Sequence, residues 1–215
     1  MKRILGIMIS VLVLAGASYS KIVIGLQAPF SCRSFSADNL KQNEQWVGIY
    51  GTLEYNFLTL YRTIASPEGR ELTVPISDLP IFGLELSAGR NISMGGKNTR
   101  YDGLVTEYKN SGTIITLLLK YYFPVSKETK VHLFAGCGPQ VAMLSRENKL
   151  TNDTYEKAGD LTNIYFTAPV GIDYNATESV RLSTFFTLQY GVSSTVNTSA
   201  TTLNYSIGVG LKRCF

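Results

Sequence analysis

The chain has 215 residues, of which 45% are hydrophobic and 17% are charged, and its formal net charge is +4. This length suits one domain, and the composition lacks the bias of disordered or collagen-like chains. Because Lys2 and Arg3 supply part of the positive charge at the very start of the chain, little excess charge remains elsewhere, and we do not expect nucleic-acid binding.

Residues 1–20 have the layout of a secretory signal peptide. Basic Lys2 and Arg3 precede an apolar run from Ile4 to Leu14, and small residues follow it. The run is shorter than the ~20 apolar residues that a comfortable membrane-spanning helix needs. We therefore expect cleavage after Ala17 or Ser20 and a mature domain over residues 21–215, with an uncleaved membrane anchor as the alternative.

Eight stretches beyond the leader alternate between apolar and polar residues with a period of two, which predicts β-strands. In chain order they are Lys21–Phe30, Trp46–Phe57, Ile81–Gly89, Thr113–Phe123, Lys130–Met143, Ile164–Tyr174, Val180–Tyr190 and Leu203–Phe215. The pattern is weakest in the first three and clearest in the last. Beyond the leader no apolar run is long enough to be a spanning helix, so a membrane location would require strands.

The connections between these strands alternate between short turns, near Val125 and Asn175, and long polar stretches. Such asymmetry is typical of transmembrane β-barrels, whose short turns face the periplasm and whose long loops face outward. The connection Leu58–Leu79 breaks the rule because it is long where a short turn is expected. It predicts either a small hairpin around the SPEG sequence at residues 66–69 or an extension of the neighbouring strands.

We therefore predict an all-β fold, an eight-stranded antiparallel up-and-down transmembrane β-barrel in the outer membrane of a bacterium. Lipid cannot satisfy backbone hydrogen bonds, so the last strand must pair with the first. Phe215 is expected at the bilayer boundary with further outward aromatic residues, namely Tyr55, Phe57, Tyr121, Phe123 and Tyr174. A soluble ligand-binding barrel with the inverse facing is the alternative, but the repeated apolar faces would then form a very large exposed patch.

The stretch LLLKYYFPVSKETKVHLFAGCGP, with the polar loop, paired strands and terminal aromatic that follow it, resembles the small outer-membrane barrels of the OmpX and PorT type, often called porin family. The resemblance is clearest over Thr113 to Phe215 and thinner before Trp46, and the Leu58–Leu79 connection departs from it. It implies a role as anchor, adhesin or secretion-linked factor. It also implies that the barrel-assembly machinery reads the terminal Phe215.

Residues that could carry chemistry are scarce. His132 is the only histidine and is expected to point into the barrel near its periplasmic end. Cys32 is expected on an outer loop, Cys137 in the middle of a strand and Cys214 at the periplasmic edge, too far apart for a disulfide. The GGKNT sequence at Gly95 lacks the spacing of a phosphate-binding loop. The sequence therefore predicts no enzyme, and no catalytic, cofactor-binding or metal site.

The predicted lumen is filled and balanced in charge. Six charged side chains are expected to point inward, three acidic and three basic: Glu54, Glu85, Asp173, Lys120, Arg181 and Lys212. Opposite charges should pair in so confined a space. The favoured function is a monomeric membrane anchor that binds an extracellular or envelope protein through three long loops, at residues 31–45, 91–112 and 145–162. A narrow or gated channel for small ions or solutes is the alternative.

Overall fold

A computed structural model describes residues 21–37, 40–57, 61–65, 71–75, 81–100, 103–123, 129–150, 153–194 and 203–215 of the chain. The predicted signal peptide, residues 1–20, lies outside the described residues. Among those that are described, no helix has the length and hydropathy needed to cross a membrane.

The described chain consists almost entirely of antiparallel strands. They are β1 (Lys21–Ala37), β2 (Leu40–Phe57), β3 (Tyr61–Ala65), β4 (Glu71–Pro75), β5 (Phe82–Arg100), β6 (Val105–Tyr122), β7 (Val131–Lys149), β8 (Tyr155–Asn175), β9 (Val180–Ser194) and β10 (Leu203–Cys214). Eight of them form a closed barrel in the order β1-β10-β9-β8-β7-β6-β5-β2, and β3 pairs with β4. The predicted eight-stranded up-and-down barrel is confirmed.

The ring closes where β10 pairs with β1, in a register that runs from Val23 opposite Cys214 to Ser34 opposite Leu203. Beyond the strand, the Phe215 amide donates to the Ile22 carbonyl at 2.9 Å. The alternating pattern of the last stretch of sequence therefore belongs to the strand that completes the barrel. Without this pairing β1 and β10 would be two open edges.

Apolar residues face outward on every barrel strand, and most of the buried inward residues are polar. Representative outward side chains, one from each strand, are 41% to 59% exposed: Ile24, Leu53, Leu86, Leu117, Leu133, Val170, Leu188 and Val209. The inward positions between them carry buried hydroxyl, amide and charged groups, such as Thr52, Thr116 and Gln140. This facing is that of a membrane barrel, so the soluble alternative is wrong.

An aromatic girdle surrounds one end of the barrel. The rings of Tyr55, Phe57, Phe82, Tyr121 and Phe123 follow one another with centroid separations of 5.1 to 6.3 Å. Tyr174 and Phe215 are exposed at the same end, which we call the girdle end. Such rings mark the bilayer boundary, and the predicted place of Phe215 in this belt is confirmed.

The opposite end, which we call the extended end, differs from the prediction. The three stretches interpreted as long loops are mostly strand, because β1–β2, β5–β6 and β7–β8 continue as pairs up to connections at 38–39, 101–104 and 150–154. Cys32 accordingly lies in β1 and not on a loop. In these extensions polar residues such as Lys97 and Glu107 take the outward positions, so the apolar–polar alternation is lost while the backbone pairing persists.

The irregular connection between β2 and β5 contains a hairpin, as one of the two interpretations predicted. Strands β3 and β4 pair from Tyr61 opposite Pro75 to Ala65 opposite Glu71. The SPEG sequence at its tip lies outside the described residues. This two-stranded sheet is separate from the barrel sheet.

Gly138 should be required for the barrel wall, whereas Gly51 should not. A Cβ at Gly138 would lie 1.9 Å from the Leu117 carbonyl oxygen of the neighbouring strand, while one at Gly51 would meet nothing nearer than the Ala88 oxygen at 3.9 Å. Gly138→Ala is therefore expected to lower stability by roughly 1 to 3 kcal/mol, the usual cost of overpacking. Refolding in lipid vesicles, scored as heat-modifiable mobility in gels, should show the loss for Gly138→Ala and not for Gly51→Ala. Equal yields would contradict the close approach of β6 and β7.

Candidate functional site

The interior of the barrel holds the six charged side chains singled out from the sequence. Each points inward and is at most 3% exposed: Glu54, Glu85, Lys120, Asp173, Arg181 and Lys212. They lie in the half nearer the girdle end, on β2, β5, β6, β8, β9 and β10. The period of two brings them together because each strand alternates its side chains between lumen and lipid.

Four of these residues form one ion-pair cluster. Lys212 Nζ lies 3.0 Å from Glu54 Oε2 and 3.1 Å from Glu85 Oε2. Lys120 Nζ lies 3.3 Å from the same Glu54 oxygen and also contacts Glu85 Oε2. The Tyr122 hydroxyl donates to the other Glu54 oxygen. Two ammonium groups thus balance two carboxylates, which is the condition for keeping charges in a poorly solvated interior.

The other two residues form a separate pair closer to the girdle end. Arg181 Nη1 lies 3.2 Å from Asp173 Oδ2, and the Ser183 hydroxyl donates to Asp173 Oδ1. Arg181 Nε donates to Asn175 Oδ1 at 3.2 Å. The guanidinium is therefore held by two acceptors on β8, across the turn that joins β8 to β9.

His132 points into the lumen next to this pair, as the sequence predicted. Its Nε2 lies 2.8 Å from Asn175 Nδ2. Since the amide nitrogen can only donate, Nε2 accepts and the ring proton is on Nδ1. Among the described residues Nδ1 has no hydrogen-bond partner. This arrangement orients the ring but does not join it to a hydroxyl or thiol nucleophile.

A layer of uncharged polar groups crosses the middle of the barrel. Gln140 Oε1 accepts from Gln189 Nε2 at 3.0 Å and from the Thr116 hydroxyl at 3.2 Å. Gln189 Oε1 in turn accepts from Asn204 Nδ2 at 3.4 Å. The cavity that these groups border has a volume of only about 50 Å³. It has room for water but not for a solute of ordinary size.

Towards the extended end the lumen is filled by a cluster of hydrophobic side chains, a feature that the sequence did not predict. Ile114, Ala142 and Tyr165 pack together at 1% to 4% exposure, against Tyr50 and Leu144. A cavity of about 10 Å³ remains beside them. One feature of the sequence could have indicated this layer: Ile114 is an apolar residue at an inward position, immediately before outward Ile115.

The paired strands of the extended end carry a polar, charged surface. Glu107 Oε1 lies 3.2 Å from Lys97 Nζ and Oε2 lies 3.0 Å from Lys149 Nζ, while Lys149 also lies 2.9 Å from Asp153. Hydrogen bonds from Lys149 and Lys97 lower the pKa of the Glu107 carboxyl. The Lys109 ammonium lies 4.1 Å from the centre of the Tyr155 ring. These contacts join β5, β6, β7 and β8 beyond the bilayer.

A depression of about 630 Å³ opens at this end among β1, β2, β5, β6, β8 and β10, and Arg33, Glu44, Lys97, Tyr108 and Tyr155 border it. Within the described part of the chain, no group of three histidine, cysteine, aspartate or glutamate side chains is placed to hold a metal ion. Cys32, Cys137 and Cys214 are free thiols. Among the described residues, the lining of this depression is therefore not built as a metal centre.

The chain matches no family model and no curated protein sequence. The crystal structure of Neisserial surface protein A is 13% identical, the match covers 90% of this chain and 97% of that chain, and the TM-score is 0.51. The N-terminal β-barrel domain of OprF from Pseudomonas aeruginosa is 14% identical, with 90% and 97% covered and a TM-score of 0.48. OprG from the same organism is 12% identical, with 91% and 95% covered and a TM-score of 0.48.

At 13% identity, the similarity to the Neisserial protein identifies the fold only. That fold is the small eight-stranded barrel of bacterial outer membranes, and the apolar exterior and aromatic girdle agree with it. The barrel is thus a transmembrane β-barrel of the outer-membrane type. What its interior and its extended end do has to be inferred from their own geometry.

Replacing Arg181 with alanine should destabilise the barrel. Asp173 would keep its buried negative charge without a cationic partner, at a cost of roughly 3 to 5 kcal/mol for a buried pair. Urea unfolding in lipid vesicles, followed by the fluorescence of the single tryptophan, Trp46, should show a lower midpoint. Lys149→Ala is the control, because its ion pairs lie at the water-exposed extended end. A midpoint unchanged by Arg181→Ala would mean that water solvates Asp173.

Proposed function

We propose that this chain is an integral outer-membrane protein whose sealed barrel anchors a polar binding surface at the cell exterior, and that it catalyses no reaction. The observation that carries the proposal is the contrast between the two parts of the barrel. Its interior is occupied by paired charges and packed side chains, whereas its strands continue past the bilayer as paired, charged hairpins. Binding surfaces on a rigid scaffold are a common way for such a protein to function.

In the proposed orientation the extended end faces outward and the girdle end faces the periplasm. Transmembrane barrels place short turns in the periplasm and their longer segments outside, and the β8–β9 turn at residues 176–179 is short. Residues 1–20 act as the secretory signal and residues 21–215 form the exported barrel. The β3–β4 hairpin then projects into the periplasm.

The proposed partner of the extended end is an extracellular or envelope protein, bound by a monomeric barrel. Its surface offers lysine, glutamate and aspartate side chains together with tyrosine rings, as in the Lys109–Tyr155 contact at 4.1 Å. Tyrosine is enriched in protein interfaces, and the rims of such interfaces are polar.

A narrow channel is the second candidate, and the cavity of about 50 Å³ in the middle layer favours it. A path for ions would have to join that cavity to both ends of the barrel. It would cross the Lys120–Glu54–Lys212–Glu85 cluster on one side and the Ile114–Tyr165 layer on the other. Conduction therefore requires the ion pairs to separate, which makes a sealed ground state the preferred interpretation.

Tag accessibility tests the orientation. An epitope inserted after Asp153, at the extended end, should be labelled by antibody on intact cells. The same epitope inserted after Thr177, in the short turn, should be labelled only after the outer membrane is permeabilised. Cell fractionation should recover both proteins in the outer membrane. The reverse pattern of labelling would refute the orientation, and recovery of the native protein from the soluble periplasm would refute the membrane location.

Phe215 is proposed to guide assembly as well as to anchor β10. Its ring is 65% exposed in the girdle, and its amide closes the ladder to β1. Deleting Phe215 should reduce the amount of heat-modifiable barrel in cells that express it at native levels. Phe215→Tyr, which keeps an interfacial aromatic ring, is the matched control and should assemble. Normal assembly of the deletion variant would show that the terminal ring is dispensable.

A further inference from the structure

The lipid-facing wall contains an apolar groove of about 660 Å³ that is lined by residues of β9, β10, β1, β2 and β5. Outward Ile24, Leu26, Leu53 and Leu86 form its sides. Its floor lies at Gly51 and Ala88, which are paired with each other across β2 and β5. These two adjacent residues have almost no side chain, while large side chains surround them. They therefore leave a depression in the apolar wall.

The barrel wall itself does not require a glycine at position 51. A Cβ there would meet only the Ala88 carbonyl oxygen, at 3.9 Å, and the residue is not among the described glycines with positive φ. At Gly138, by contrast, the neighbouring backbone leaves no room for a Cβ. The space above Gly51 is therefore open to an external group.

A cation lies at the border of this groove. Arg213 lines it from β10, directly opposite Ile24 on β1, and its guanidinium lies 5.2 Å from the centre of the Phe215 ring. In the part of the chain that the structure describes, no carboxylate pairs with Arg213. The girdle places this residue at the periplasmic boundary of the bilayer, at the depth of the headgroups of the inner leaflet.

We propose that the groove is a binding site for one anionic glycerophospholipid of the inner leaflet, of the phosphatidylglycerol class. One acyl chain lies along the groove over Gly51 and Ala88, and the headgroup phosphate pairs with Arg213. The positive charge of Arg213 favours an anionic headgroup. Its depth at the girdle also suits a lipid, because lipid tails extend from the bilayer boundary towards the middle of the wall. The inference assumes the proposed membrane location and goes beyond the proposed surface role.

A second copy of the chain would be a poorer occupant of the groove. The groove is a narrow depression in a convex wall, so a second convex barrel could not enter it and would meet the same guanidinium charge. An acyl chain is slender enough to enter and lacks polar groups that the wall could not satisfy. Association between copies remains a separate outcome of the test.

The test is native mass spectrometry of the full mature barrel, solubilised in detergent and titrated with phosphatidylglycerol or with phosphatidylcholine of the same acyl chains. We expect one tightly bound phosphatidylglycerol and about fivefold weaker binding of phosphatidylcholine, since one basic residue near a membrane surface contributes ~1 kcal/mol towards anionic lipid. Arg213→Gln should abolish the preference, and Arg213→Lys should retain most of it. Gly51→Leu should weaken the binding of both lipids.

Matched controls separate this site from ordinary annular lipid. Ala168→Leu places the same leucine side chain on the outward face of β8, and Lys130→Gln removes an exposed charge near the girdle end; neither should change binding. If Gly51→Leu does not refold, Ala88→Val fills the same floor.

Equal binding of both lipids by the unmodified barrel would overturn the proposal. So would lipid binding that neither Arg213→Gln nor the variants that fill the floor of the groove change. A dimer that Gly51→Leu abolishes would overturn it in favour of a second copy. The outer-membrane location is tested independently by fractionation.

Discussion

Each backbone N–H and C=O within the hydrocarbon must find its hydrogen-bond partner in the protein, because lipid offers none. The chain meets this constraint by closing the sheet between β1 and β10, with paired residues from Val23–Cys214 to Ser34–Leu203. The number of strands in the closed ring sets the width of the interior. An eight-stranded ring leaves a lumen that side chains can fill.

The same constraint reverses the usual distribution of polarity. The exterior must be apolar across the whole bilayer, so polar side chains occupy the inward positions of each strand. These side chains must find their hydrogen-bond and charge partners inside a narrow lumen. Lys120 and Lys212 do this with Glu54 and Glu85, and Arg181 does it with Asp173. The interior then acts as the core of the protein, held by charge and hydrogen bonding where a soluble domain would use apolar packing. In the proposed sealed barrel, the same paired interior accounts for both stability and impermeability.

Alternation in the sequence was sufficient to predict the barrel, its outward faces and the inward direction of residues such as Lys120 and Lys212. It was sufficient because lipid and lumen are two very different environments on either side of a strand. It failed at the extended end, where polar residues such as Lys97 and Glu107 take the outward positions of paired strands. It also could not show that Ile114, Ala142 and Tyr165 meet across the lumen, since that depends on the stagger between strands. The groove over Gly51 could not be predicted for the same reason, because residues of five strands line it.

The central claim is that the interior is sealed, and ion conduction tests it most directly. Purified, refolded barrel should be inserted into planar lipid bilayers and recorded at the single-channel level under a steady applied voltage. The ion-paired cluster and the packed layer above it predict insertion without steady conductance. A stable conductance of nanosiemens size from the unmodified protein would contradict the sealed interior and establish the channel as the function.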